Sequence, residues 1–388
     1  MRLPENSKVA PFSRCRTNLA IIALAAVVFA LGALKLPAAD GRAALPWELG
    51  LFSRPPGVNP IIEPNTNSQF ECPMAGQSVR WEALHTFNPG AVLRDGQVCV
   101  LYRAEDASGA MKIGGHTSRI GLARSDDGLH FVCQPKPVLF PADDDQKTNE
   151  WTGGCEDPRI AETQDGTYVM TYTAYRRGEA SRLARLSVAT SKDLIHWDKH
   201  GPVFEKFGGE FANRYCKSGA ILTTLADGRL VIKKLAGKYW MYWGEGEIRL
   251  ASSEDLINWN PGTIVLRTRP GKFDSALVEA GPPAVLTRDG IVLIYNGKNG
   301  SRNGDPALGA GAYAGGQALF DSDEPTKLLK RTDTPFFQPE TAFERTGQYG
   351  AGTTFLEGLV AFHGQWLLYY GCADSYVAVA VAKESNTN

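Results

Sequence analysis

The chain has 388 residues, 43% of them hydrophobic, with 41 Gly and 23 Pro, which is enough for one large domain or two ordinary ones. Lys+Arg 41 against Asp+Glu 42 leaves a formal net charge of -1, so the composition points to no nucleic-acid partner and to no acidic disordered tail. Eight Trp, 13 Tyr and 17 Phe suit a β-rich protein, and suit equally a protein that stacks sugar rings.

Residues 1–45 read as a targeting segment. Arg2, Lys8, Arg14 and Arg16 form a basic lead, and Leu19 to Leu34 is an uncharged apolar run of signal-peptide length, a little short for a membrane span. Cleavage is expected near Ala38-Ala39 or Ala43-Ala44, with an uncleaved membrane anchor as the alternative. Either way the folded part is exported, periplasmic or secreted, and meets a membrane only through that segment. Seven cysteines are scattered, with no Cys-x-x-Cys pair, so mostly buried thiols and at most one or two disulfides are expected. The six histidines show no paired spacing, which predicts no metal, and no cofactor is indicated.

Residues 46–77, rich in Pro, Asn and Gly, read as an extended lead-in. Over residues 78–382 one unit then recurs: an Asp-Gly or His-Gly turn, an aromatic and β-branched strand, a loop and a second strand. The turns are Asp95-Gly96, Asp165-Gly166, Asp227-Gly228, Asp289-Gly290 and His363-Gly364, and several copies end in a Ser-x-Asp piece such as Ser191-Lys192-Asp193 or Ser253-Glu254-Asp255. Such turns suit tight hairpins. Five strand-only repeats predict an all-β, five-bladed β-propeller with a central active-site channel, and residues 383–388 a tail. A two-sheet sandwich is the rival, but it does not call for five like units.

The stretch Gly153-Gly154-Cys155-Glu156-Asp157-Pro158-Arg159-Ile160 places two acids between glycines and a proline. Pro158 is expected to hold Asp157 extended, so that Glu156 and Asp157 point apart, one into a pocket and the other to Arg159 or a backbone amide. The plain alternative is a turn in which Asp157 caps a backbone N–H. Other charged or amide groups fall beside strand ends and glycines in the other copies: Asn88, Arg103 with Glu105 and Asp106, Lys217, Glu245, Asp274, Glu279 and Asp374. In a propeller those positions face the channel mouth.

The motifs Phe87-Asn88-Pro89-Gly90-Ala91, Leu101-Tyr102-Arg103-Ala104-Glu105-Asp106, Arg119-Ile120-Gly121-Leu122-Ala123, Gly154-Cys155-Glu156-Asp157-Pro158-Arg159, Glu279-Ala280-Gly281-Pro282-Pro283 and Tyr370-Gly371-Cys372-Ala373-Asp374, in this order, resemble glycoside hydrolase family 130. These are five-bladed propellers that cleave β-mannosides by phosphorolysis or hydrolysis. The resemblance implies a manno-oligosaccharide substrate, with Asp157 as a general acid whose proton travels through a sugar hydroxyl. It implies Asn88, Arg103, Asp106, Lys217, Asp274 and Asp374, with Arg119 as a weaker candidate, as groups that grip the sugar. Glu279 stands where the phosphorylases look to have Gly, and Glu245 where a phosphate-binding side chain is expected. Two carboxylates there repel phosphate, each like-charge pair at ~4 Å costing on the order of 4 kcal/mol at an effective dielectric near 20. The reading is therefore an exported, inverting β-mannosidase acting on β-1,2 linkages.

Inversion requires an acid and a carboxylate base that activates water. Asp157 supplies the acid, and Glu245 or Glu279 the base. Burial and neighbouring carboxylates are expected to keep the proton on Asp157 near neutral pH. Tyr242 and Trp243 are candidates both for sugar stacking and for blade core. The rivals are a phosphorylase, for which Arg176, Arg177, Arg182 and Lys217 would offer positive charge, and a non-catalytic sugar-binding propeller.

Overall fold

A computed structural model describes residues 44–178 and 182–384. The expected leader and its Cys15 lie outside the described residues, as does most of the tail. Among the described residues no helix is long and apolar enough to cross a membrane.

The regular structure is nearly all strand, arranged as five successive antiparallel meanders. The first runs through His85–Arg94, Gln97–Glu105, Ser118–Ser125 and Val132–Cys133. The second runs through Gly154–Glu162, Tyr168–Arg177, Arg182–Ser191 and Asp198–Pro202. Gly219–Ala226, Lys238–Trp243, Ile248–Ser253 and Trp259–Leu266 make the third. The fourth has a split first strand, Leu277–Ala280 and Ala284–Thr287, then Gly290–Lys298, Tyr313–Phe320 and Leu328–Arg331. Thr354–Phe362, Gln365–Cys372 and Tyr376–Lys383 complete the set.

The turn chemistry explains most of the hairpins. Asp95-Gly96, Asp227-Gly228 and His363-Gly364 each close a two-residue loop with both central residues at positive φ, the conformation that matches strand twist. The other two differ. Asp165-Gly166 belongs to a longer loop that the Thr163 hydroxyl closes onto Thr167 N–H at 3.0 Å. Gly290 is itself paired with Thr287, so the fourth turn is Arg288-Asp289. The Ser-x-Asp pieces are local clamps: the Ser191 hydroxyl accepts from the N–H groups of Asp193 and Leu194, and Asp193 from those of Ile195 and His196. The same set recurs at Ser253 and Asp255.

The strands read as continuous apolar runs because both of their faces are buried. Along Gln97–Glu105, Val98, Val100 and Tyr102 join a core shared with the fifth meander, while Cys99 and Leu101 join one shared with the second. Further cores lie between the second and third, third and fourth, and fourth and fifth meanders. Tyr242 and Trp243 are buried in two of them, so these rings are core and not sugar platforms. The cysteines Cys72, Cys99, Cys155, Cys216 and Cys372 are buried free thiols.

The segment expected as a lead-in enters these cores as well. Trp47, Leu49 and Phe52 pack between the fourth and fifth meanders, and Ile61, Ile62 and Phe70 between the fifth and first. It also flanks the last strand: Ser53 and Val381 exchange backbone hydrogen bonds of 2.9 and 2.8 Å. The Asn59 amide bonds both the carbonyl and the N–H of Val379, at 2.8 and 2.9 Å. Asn59→Ala leaves both Val379 groups unpaired. The expected loss is ~1–3 kcal/mol, read as a lower urea midpoint with an unchanged m-value. An unchanged midpoint would show that this contact contributes nothing to closure.

Candidate active site

Three of the first strands carry irregularities that bear on the site. In His85–Arg94 the register shifts between Phe87 and Pro89, and Asn88 has φ 48°. In Gly154–Glu162 it shifts between Glu156 and Arg159, with Asp157 at φ 51°. In Thr354–Phe362 it shifts between Leu356 and Gly358, around Glu357. A bulge adds a residue to one strand and re-aims its side chains. That overturns the expected divergence of Glu156 and Asp157, because the bulge cancels the alternation and both carboxylates reach Arg103. The first strands approach closely enough that a Cβ on Gly90 would stand 2.5 Å from the carbonyl oxygen of Pro158.

A cavity of about 450 Å³ opens over these bulges, its wall including Asn88, Arg103, Glu156, Asp157, Lys217, Glu245, Glu279 and Asp374. Asp157 Oδ1 accepts from Asn88 Nδ2 at 2.8 Å and from Arg103 Nη1 at 3.1 Å, and Lys217 Nζ lies 3.6 Å from Oδ2. Arg103 Nη2 also donates to Glu105 at 2.6 Å and to Glu156 at 2.9 Å, and the guanidinium lies over the Phe87 ring. Glu245 and Glu279 come from separate segments joined by an antiparallel bridge at these two residues. The Ser218 hydroxyl donates a short hydrogen bond to Glu279.

Arg159 ties three meanders together beneath the cavity. Its Nε and Nη2 donate to the carbonyls of Gly281 and Ala280 at 2.9 and 2.8 Å, Nη1 donates to the Asp157 carbonyl at 3.2 Å, and Glu357 lies 2.9 Å from Nη2. Arg159 therefore does not engage the carboxylate of either neighbouring acid.

Three of the expected sugar-gripping residues are placed elsewhere. Asp106 and Arg119 pair with each other at 2.7 Å, off the cavity wall. Asp274 is fully buried and accepts from Arg269, Arg331 and Tyr295 at 2.8, 2.6 and 2.8 Å, which leaves it a structural tie in the fourth meander. Of the basic residues, Arg182 and Lys217 line the cavity, whereas Arg177 donates to the His116 carbonyl at 2.7 Å.

Tyr175, Tyr215, Tyr313, Tyr349 and Gln348, which sequence reasoning passed over, also line the wall, as does Lys298, which falls beside a strand end like the other charged groups singled out in the sequence. Lys298 Nζ lies 5.2 Å from the Tyr313 ring centroid and 5.5 Å from that of Tyr349. No spacing signalled the four tyrosines or Gln348. Glu357 carried a visible signal, being a lone acid inside the apolar run Phe355-Leu356-Glu357-Gly358-Leu359.

The electrostatics divide the acids. Burial pushes Glu156, Glu279 and Asp374 up to about 7, with Arg103 or Lys217 only partly opposing it, and holds Glu357 well above the usual range. Burial also works to raise Asp157, but Arg103, Lys217 and the Asn88 amide outweigh it and hold this carboxyl well below the usual range. This reverses the expectation that Asp157 keeps its proton: two cations face it directly and hold it ionised, while burial raises its neighbours Glu156 and Asp374. Burial works to discharge Lys217, but Glu245, Glu279 and Asp157 more than compensate and keep the ammonium charged.

A raised carboxyl makes stability fall with rising pH. From about 4.5 to about 7, Glu279 holds a proton in the folded chain that the unfolded chain has released. Glu279→Gln is expected to make the decline of unfolding free energy across that window shallower, by up to ~1.4 kcal/mol per pH unit. Denaturant titrations at several pH values measure it, and parallel curves for variant and wild type would rule out the raised value.

Comparison with known proteins bears on the same site. The family model described as beta-1,4-mannooligosaccharide phosphorylase, glycoside hydrolase family 130, matches residues 56–387. A 1,2-beta-oligomannan phosphorylase of Thermoanaerobacter sp. (strain X514) is 32% identical over 302 residues, covering 78% of this chain and 90% of the relative. A crystal structure of a putative glycosidase from Bacteroides thetaiotaomicron VPI-5482 superposes with TM-score 0.85 at 54% identity, covering 88% of this chain and 99% of the other. Another structure, at TM-score 0.85 and 51% identity over 89% and 98% of the two chains, was presented with the finding that the family of mannoside phosphorylases contains glycoside hydrolases that target β-1,2-mannosidic linkages in Candida mannan. With a match over most of its length, the chain belongs to glycoside hydrolase family 130, whose members act on β-mannosides.

Proposed function

We propose that this protein is an exported, inverting β-mannosidase that hydrolyses β-1,2-linked manno-oligosaccharides on a five-bladed propeller. The cyclic order of the apolar cores, each between successive meanders and one between the fifth and the first, supports the propeller. The single observation that carries hydrolysis is the pairing of Glu245 with Glu279 on the cavity wall around Lys217. Lys217 already serves Asp157 and both glutamates, so a phosphate dianion beside it would meet two carboxylates and a cation that is already shared. A water molecule meets two bases.

In this reading Glu279, with Glu245 beside it, takes a proton from the attacking water, and Asp157 delivers one to the departing sugar oxygen. The delivered proton comes from the pair of acids sharing Arg103. When a mannosyl unit fills the cavity, the expulsion of water strengthens the burial that already pushes Asp157 upward, and the proton held by Glu156 passes across. Arg103 and Asn88 orient Asp157 throughout.

Incubation with β-1,2- and β-1,4-mannobiose, with and without phosphate, tests the reading. Free mannose, released first as the α-anomer and independent of phosphate, is expected from the β-1,2 substrate. Accumulating mannose 1-phosphate would establish phosphorolysis instead, the activity of the curated relatives.

The roles are separable by substitution. Asp157→Asn is expected to lower kcat by ~10²–10⁴-fold and to recover on an aryl mannoside whose leaving group needs no proton. Glu279→Gln is expected to recover instead with azide, yielding α-mannosyl azide. The opposite pattern of rescue would exchange the two roles.

A further inference from the structure

Three metal-ligating side chains meet just behind the cavity. Strand pairing sets His85 opposite Glu105, and Glu105 opposite Ser118, so that His116, at the entry to the third strand, comes to the same end of the first meander. The ligating atoms of His85, Glu105 and His116 all lie within 4.8 Å of one another. The two rings are 6.0 Å apart between centroids and inclined at 59°. Glu105 and His116 are buried, and neither histidine lines the cavity.

The hydrogen bonds around the cluster leave ligand atoms available. His116 Nδ1 lies 3.2 Å from the Ser108 carbonyl oxygen, which can only accept. The neutral ring therefore carries its proton on Nδ1 and keeps the Nε2 lone pair. Metal-bound histidines hold their second nitrogen in this way. His85 Nδ1 is likewise engaged, 2.9 Å from the Ser375 hydroxyl. On Glu105, Oε1 accepts from Arg103 and Ser118, whereas Oε2 receives only the Gln348 amide at 3.2 Å. Replacing that neutral contact is the one concession a cation requires. Asp157, also paired with Arg103, offsets part of its charge.

We propose that His85, Glu105 and His116 bind one divalent cation of the Zn²⁺ class, and that its binding inhibits the enzyme through Arg103. Two imidazoles and one carboxylate, with a fourth position for water, is a donor set suited to zinc, at bond lengths of ~2.0–2.2 Å. The three side chains close toward one another by small rotations to reach it. The cation draws charge from Glu105, Glu105 loosens its hold on Arg103 Nη2, and the guanidinium that fixes Asp157 and Glu156 shifts. The inhibition rests on the β-mannosidase reading, but the binding does not.

The test uses the full chain purified without a histidine tag and freed of metal with a chelator. Calorimetric titration with zinc chloride is expected to give one site per chain. Co²⁺ is expected to give the visible absorption of a four-coordinate histidine complex. His116→Gln and His85→Gln, each checked for fold by near-ultraviolet circular dichroism, are expected to weaken binding by at least 10-fold, on the order of what lost metal-site groups cost. The exposed-residue control His363→Gln should bind as wild type. Zinc should depress turnover of wild type and of His363→Gln, and leave His116→Gln unaffected. Failure to bind one equivalent, or wild-type affinity in both cluster variants, overturns the site. Binding without loss of turnover overturns the link to Arg103 and leaves the assigned hydrolysis untouched.

Discussion

The cavity buries more acids than it can neutralise. Glu105, Glu156, Asp157, Glu279, Glu357 and Asp374 face Arg103, Lys217 and Arg159. An ionised carboxylate removed from water without a counter-charge is so costly that it takes up a proton instead. The surplus acids must therefore stay at least partly protonated, and which ones do so is set by position. Asp157 sits against two cations and gives up its proton, and Glu357, with only the shared Arg159, keeps one. The site thus holds carboxyls raised by burial beside one that two cations hold ionised. That is the inventory that acid–base cleavage of a glycosidic bond draws on.

Such a cluster needs a rigid frame, because a small relaxation would let water in and equalise the acids. The frame is built from bulges. Asn88 and Asp157 both adopt left-handed backbone conformations that non-glycine residues seldom take, at a cost of order 1–3 kcal/mol each. The two bulge tips are joined directly through the Asn88–Asp157 hydrogen bond, and Arg159 anchors the second against the Ala280-Gly281 carbonyls. Strain in one strand is thus held by contacts to another meander, so the site exists only when the meanders are assembled.

This division explains what the sequence made legible. Repeated Asp-Gly turns and apolar strands announced the all-β architecture, since a turn type and a two-faced burial pattern are local properties. Asn88, Arg103, Asp157, Lys217, Glu245, Glu279 and Asp374 stood out as polar groups beside strand ends, and they share one cavity. Asp106, Arg119 and Asp274 looked identical by that criterion and pair elsewhere. Whether an acid at a strand end finds an arginine is decided by how the neighbouring strands and loops fold against it, as Arg119 does for Asp106 and Arg331 for Asp274, and the local pattern does not show that. The bulge at Glu156-Asp157-Pro158 was unreadable for a related reason: local rules favour an extended residue before proline, and contacts from Asn88 and Arg103 override them. His85 and His116 lack paired spacing because hairpin pairing, not helical or loop proximity, brings them together.

The same electrostatics bear on the choice between water and phosphate. Curated relatives at 26–32% identity are phosphorylases, so the fold alone accommodates either attacking group. A phosphate site needs cations with charge to spare. Here Arg103 is divided among Glu105, Glu156 and Asp157, and Lys217 among Asp157, Glu245 and Glu279. Arg182 and Lys298 also line the cavity, but Lys298 is engaged over two tyrosine rings. A dianion held by Arg103 or Lys217 would have to displace carboxylates from these cations, each exchange leaving a buried acid to protonate. A neutral water molecule asks for no such exchange and finds in Glu279 and Glu245 adjacent acceptors for its proton. On the reading proposed above, moving from one attacking group to the other takes a change of charge at the two bridged positions, with the frame of meanders left in place.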